Sequence, residues 1–190
     1  MSASLRRFEA ARSNPVQTSA LLVVLLASAS ATPACQAELA WPDVPLALRA
    51  PLYEGFEKVA DALQPSCGTL DCHGQKDRNL RLYGGRGLRL DPAATPSEGE
   101  TQPAEYDADY WSVISLEPEV MAAVVADGGR DPERLILIRK GRETTRHKGG
   151  KLMSPGDDLD RCLLAWVAGN IDEAACWMAS RLAAPDSSSM

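Results

Sequence analysis

The segment Cys67-Gly-Thr-Leu-Asp-Cys72-His73-Gly74 constrains this chain more than any other. It puts two thiols and an imidazole on one short stretch, and whatever they bind or form, the rest of the chain has to fold around it. Three chemistries compete for such a set. The thiols can close a small disulfide loop with His73 incidental. Cys67, Cys72, His73 and the only other histidine, His147, can supply four zinc ligands. Or the two thiols can bond the vinyl groups of a haem while the histidine after the second cysteine sits under the iron.

The third reading fits the order of the residues best, because only there does the His directly after the second Cys have a required role. The usual spacing is Cys-x-x-Cys-His, and here it is Cys-x-x-x-x-Cys-His. Two extra residues can loop outward without moving His73 relative to Cys72, so axial ligation by His73 survives the change. The reach of Cys67 becomes less direct, and Asp71 has to face solvent. One covalent haem c is therefore the expected cofactor, with Cys67 and Cys72 as attachment points and His73 as proximal ligand.

The N-terminus points to an oxidising compartment. Arg6, Arg7 and Arg12 precede the apolar run 21–27, which passes into Ser28-Ala-Ser-Ala31. This is the pattern of a secretory signal over 1–31, and the apolar run is shorter than the ~20 residues that span a bilayer. A periplasmic or envelope location follows. Five cysteines agree with export, and the odd count needs an explanation. Cys162 and Cys176 are expected to pair. Cys35, just beyond the signal, is either a lipid-anchor cysteine or a free thiol in a Pro-containing tether over 32–50.

Periodicity in the remainder is helical. Leu52, Phe56, Val59 and Leu63 share a face, with Pro51 suited to a first turn and Pro65 to a stop. The two Leu-Arg-Leu units over 80–82 and 88–90 flank glycines and predict a small hairpin or an irregular glycine loop, leucines inward and arginines outward. An acidic stretch over 91–130 reads as an insertion, with a surface loop to about Asp107 and weak helices after it. Asp131-Pro132 predicts a helix start. Asp157 is positioned to cap a strong helix whose stripe is Leu159, Cys162, Leu163, Trp166 and Val167, ended by Gly169-Asn170. A shorter helix over 172–182 and a disordered tail over 184–190 complete an all-α domain spanning 51–183.

The run Cys72-His73-Gly74 followed by Leu-Arg-Leu, and the later His147-Lys-Gly-Gly150 leading to Trp166-Val-Ala-Gly169, resembles the cytochrome c domains of large exported proteins of planctomycetes and myxobacteria. The resemblance covers about Leu52 to Gly169, with the acidic middle segment unmatched. It implies a class I-like helical fold, with an N-terminal helix leading into the haem motif and a C-terminal helix packed across it. Two residues compete for the sixth ligand. Met153, in a Pro-containing loop just before the capped helix, resembles the methionine loop of that class and is preferred. His147, beside Gly149-Gly150, is the alternative.

The net charge of −6, with basic residues only in short clusters, gives no sign of nucleic-acid binding. Basic residues cluster at Lys76–Arg89 and again at Arg139–Lys151, where they can hold haem propionates or steer an acidic redox partner protein. The expected role is electron transfer or redox sensing rather than catalysis, with membrane contact only through a possible anchor at Cys35. The competing expectation is an exported lipoprotein or binding module without haem, stapled by disulfides.

Overall fold

The computed structural model describes residues 49–181. The signal-like segment, Cys35, all but the end of the tether and the 184–190 tail lie outside them. Within them the order is α1 (Phe56–Cys67), α2 (Pro103–Ile114), α3 (Pro118–Ala126), a 3-10 turn (Pro132–Arg134), α4 (Ile136–Gly141), α5 (Asp158–Val167) and α6 (Glu173–Ser180). No strand forms among the described residues, and the fold class is all-α as expected. None of these helices is long and apolar enough to cross a membrane.

α1 is the organising helix because Phe56, Val59, Ala60 and Leu63 recur at helical spacing and are all buried. Its ends differ from expectation. Gly55, at φ 82°, turns the chain into the helix, so Leu52 stays outside it and is 63% exposed. Pro65 does not stop it. A proline removes only its own N–H, and the helix runs two residues further to Cys67, where Gly68 N closes on Gln64 O at 3.1 Å.

α5 and α6 pack on α1. Asp157 caps α5 by accepting from Asp160 N at 3.0 Å, and Asn170 N returns to Ala165 O at 2.9 Å to close its C-terminus. The whole predicted stripe of α5 is buried. Asp172 caps α6 through Ala175 N. The expected bridge is present: Cys162 on α5 and Cys176 on α6 form a disulfide across 14 residues of sequence. Phe56, Tyr110 and Trp166 meet edge-on or tilted at one end of α1, with Phe56 5.3 Å from Tyr110 and 5.1 Å from Trp166. The polar atoms of the two larger rings reach the incoming chain, Tyr110 Oη donating to Pro51 O and Trp166 Nε1 to Leu52 O.

The segment 91–130 is more deeply built in than a surface insertion. It becomes helical at Pro103, not after Asp107, and it contributes Tyr110, Val113, Ile114, Met121 and Val124 to the core. The start signal is legible afterwards in Gln102-Pro103-Ala-Glu105, with Pro in the first turn and Glu105 accepting from Gln102 N at 2.9 Å. Glu105 also explains why the second Leu-Arg-Leu unit departs from leucines inward and arginine outward: Leu88 is buried as expected, but Arg89 is buried too and Leu90 is exposed. The Arg89 guanidinium forms a two-pronged pair with Glu105, at 2.9 and 3.0 Å, and donates to Glu98 O and Glu100 O. Between the two units the chain is an irregular glycine loop with one isolated bridge, Tyr83 to Leu88. Asp131-Pro132 opens only the 3-10 turn, and α4 begins at Ile136.

Candidate functional site

The Cys67–His73 segment forms a tight turn on the C-terminus of α1. Cys67 is the last helical residue. His73 N donates to Cys67 O, and both Cys72 N and Gly74 N donate to Thr69 O, each at 2.9 Å. The four intervening residues are thereby folded back on themselves, with Leu70 and Asp71 exposed. The turn lies so close to the following glycine loop that only glycine fits at two points. A Cβ at Gly74 would stand 2.3 Å from Gly68 O, and one at Gly87 only 1.9 Å from the same oxygen.

His73 is fixed from both sides. Its backbone O accepts from Leu82 N at 2.9 Å, and its Nδ1 lies 3.0 Å from Leu80 O. A carbonyl only accepts, so Nδ1 carries the proton and Nε2 keeps its lone pair. Burial pushes the ring's pKa below the ordinary histidine value; the Leu80 carbonyl opposes this, while His147 and Arg78 reinforce it. The ring is therefore neutral at physiological pH and presents Nε2 as a ligand. The tautomer of His147 is set in the same way as that of His73, by a backbone carbonyl: its Nδ1 lies 3.2 Å from Gly150 O. Gly149 leaves room for that ring: a Cβ there would come within 3.1 Å of its Cε1.

Both histidines line one cavity of about 370 Å³, walled mainly by apolar side chains from α1, α4 and α5 such as Leu63, Ile136, Leu159 and Leu163. The two imidazole centroids are 6.1 Å apart and their planes within 13° of parallel. Metal–nitrogen bonds of about 2.0 Å, plus about 1.1 Å from each nitrogen to its ring centre, put two imidazoles on opposite sides of one metal ion about 6.2 Å apart. The match is one of centre separation alone, the two ring planes being stacked.

Met153 lines the same cavity and is buried. Its side chain packs on Gly141, where an added Cβ would meet Met153 Cε at 2.6 Å, and Leu152 N and Met153 N both donate to Gly141 O. Cys67 lines the cavity, and Cys72 is not among the residues lining it. Both are free thiols, not a Cys67–Cys72 disulfide. Burial, with a smaller contribution from Cys72, pushes the Cys67 thiol up to about 12, so it is protonated. Among the described residues no three His, Cys, Asp or Glu side chains converge to hold a metal ion, which weighs against the four-ligand zinc arrangement.

The two basic segments do different jobs. Arg78 Nε donates to Cys72 O and clips the turn, Arg86 reaches Ser180 O, and Arg89 is buried on Glu105. In the second segment Arg139 pairs with Glu117 and Arg142 with Asp160 and Glu133. Lys140 is the only cation among the cavity-lining residues, and Glu117 and Asn79 are the polar groups beside it. Searches of protein-family models, curated proteins and solved structures each find no match for the chain.

Proposed function

We propose that the cavity between α1, α4 and α5 holds one haem c, and that the protein is an exported, class I-like c-type cytochrome carrying single electrons in the cell envelope. The observation that carries this reading is the pair His73 and His147: two imidazoles lining one mainly apolar cavity, each with Nδ1 held by a carbonyl, their ring centres 6.1 Å apart. That geometry supports His147 over Met153 as the sixth ligand. Met153 then serves as wall, packed on Gly141.

The donor set fits the group on three counts. Cys67 borders the cavity and Cys72 adjoins His73, so both thiols are carried by the turn that carries the proximal imidazole. The wall is apolar where a porphyrin face would lie. Lys140 and Asn79 line the cavity and offer polar partners for carboxylates, while Glu117, the carboxylate that lines it too, is itself engaged by Ile136 N and Arg139. When bound, haem supplies a one-electron iron couple. The chain's own contribution is to orient His73 through Leu80 O and the Arg78 clip, to exclude water with leucine and isoleucine side chains, and to fill the position opposite His73. Were His147 to hold that position once haem is bound, substrate would have no open iron site, which favours a carrier or sensor over a peroxidase.

The test is spectroscopic. Protein exported from a host competent in c-type maturation should give a haemochrome that resists acid-acetone extraction and a low-spin oxidised spectrum without the far-red sulfur-to-iron band. His147→Ala should convert it to high spin and Met153→Ala should leave it low spin. A far-red sulfur band lost in Met153→Ala would return the sixth position to Met153. Colourless protein with a Cys67–Cys72 disulfide would favour the haem-free, disulfide-stapled module instead.

A further inference from the structure

Between Ile136 and Gly156 six cations stand against a single carboxylate, Glu143, in a chain whose net charge is −6. Two of the six, Arg139 and Arg142, are held in ion pairs with Glu117, Asp160 and Glu133. The other four, Lys140, Arg146, Lys148 and Lys151, make no ion pair among the described residues. They are not scattered. Lys140 lines the cavity and donates through Nζ to Arg146 O; Arg146 and Lys148 flank His147, and Lys151 precedes Leu152 and Met153 of the cavity wall. Arg146, Lys148 and Lys151 are exposed. In the earlier basic segment Arg78, Arg86 and Arg89 are directed onto the protein's own carbonyls and Glu105, which leaves Lys76, next to Asp77, as its one exposed cation without a hydrogen bond or ion pair among the described residues.

From this we infer that the loop bearing His147 is the docking surface for an acidic redox protein, and that electrons pass through the His147 side of the cavity. The inference rests on the cavity's being a haem site only for the second clause; the docking surface stands on charge and exposure. Charge complementarity favours an acidic protein patch over an anionic membrane. Three exposed cations within six residues match a local cluster of carboxylates, while the remaining surface of an acidic chain is repelled by an extended anionic plane. At physiological ionic strength the Debye length is about 8 Å, so the loop's own charge, not the distant net charge, governs a partner arriving there.

Two measurements test it on the full chain. In the first, ferrous protein gives one electron to hexacyanoferrate(III), an anion, or to tris(phenanthroline)cobalt(III), a cation. Exit through the basic loop predicts that the hexacyanoferrate rate falls several-fold as ionic strength rises from about 0.01 to about 0.15 M, while the cobalt rate rises. The triple variant Arg146→Glu/Lys148→Glu/Lys151→Glu should invert both trends. Slopes of the opposite sign in the unaltered protein, as its net charge dictates, would overturn the exit route. The second needs no haem: amide NMR titration with polyglutamate should move resonances of the 140–152 loop, reversibly with salt, and not in the triple variant. No loop response, or binding to phosphatidylglycerol vesicles in its place, would overturn the docking surface. A loop response in protein that stays haem-free after export from a host competent in c-type maturation would uphold the docking surface and sink the cytochrome reading; haem-loaded protein without a loop response would do the converse.

Discussion

Glu105 is the residue whose loss the fold should tolerate least for its size. Its side chain is 2% exposed and accepts four hydrogen bonds, from Arg89 Nε and Nη2, Leu90 N and Gln102 N. Truncation to Ala leaves the Arg89 guanidinium buried with only two backbone carbonyls for company and strips two backbone N–H groups of their acceptor. Breaking a buried pair on one side costs about 3–5 kcal/mol. For a domain of this size that corresponds to a fall in Tm of roughly 10–20 °C. The double variant Arg89→Met/Glu105→Leu removes the uncompensated charge and should recover part of the loss, but not all, since Leu90 N and Gln102 N remain unserved. Calorimetry of the three variants decides the matter. A Glu105→Ala Tm within a degree or two of the parent would refute the claim that this pair ties the glycine loop to α2. The same carboxylate predicts an acid limit. Burial raises its pKa, but Arg89 and the Gln102 and Leu90 N–H groups outweigh that and hold it below the ordinary value, so its stabilisation is complete above that value and is lost as pH falls through the depressed one.

Three further outcomes follow. Burial, together with repulsion from Glu105 and against the hydrogen bonds from Tyr83 N and Gln64, pushes the Asp109 carboxyl from 3.8 up to about 8; a raised carboxyl pKa means stability declines as pH rises from about 4 towards 8, and Asp109→Asn should flatten that decline in urea titrations taken at successive pH values. Reduction of Cys162–Cys176, or the double serine variant, should cost about 3 kcal/mol by chemical denaturation, from releasing a loop of 14 residues. Gly74→Ala sets a Cβ 2.3 Å from Gly68 O, so it should destabilise the turn by about 2 kcal/mol or more and shift the His73 ring resonances, whereas Gly128→Ala, where no atom lies within 4 Å of the added carbon, should leave those resonances unmoved.

Much of the helical frame was legible because its signals are local. The Asp157 cap, the α5 stripe, the Gly169-Asn170 stop and the Cys162–Cys176 pair all follow from residues within one or two turns of each other. The errors came where a distant partner decides. Arg89 reads as a solvent-facing arginine until Glu105, sixteen residues on, is known to accept from it. The acidic stretch reads as an insertion because its charge hides how far Tyr110 and Val113 on α2 and Val124 on α3 are buried in the common core. Pro65 reads as a terminator, yet α1 outlasts it by two residues. At the site, Cys67, His73, His147 and Met153 were each visible in the sequence, but their placement along one cavity was not, because the approach of two rings 74 residues apart and the packing of Met153 over Gly141 have no local sequence signature. Leu80, the residue whose carbonyl sets the His73 tautomer, could have been found only as a generic partner, since any backbone carbonyl serves.

The intact mass of the exported protein tests the central claim most directly. A species equal to the processed polypeptide plus one haem, persisting after denaturation and reduced to the bare polypeptide mass in Cys67→Ala/Cys72→Ala, is the predicted result. A mass equal to the polypeptide less four protons, the mark of a Cys67–Cys72 disulfide added to Cys162–Cys176, would contradict it.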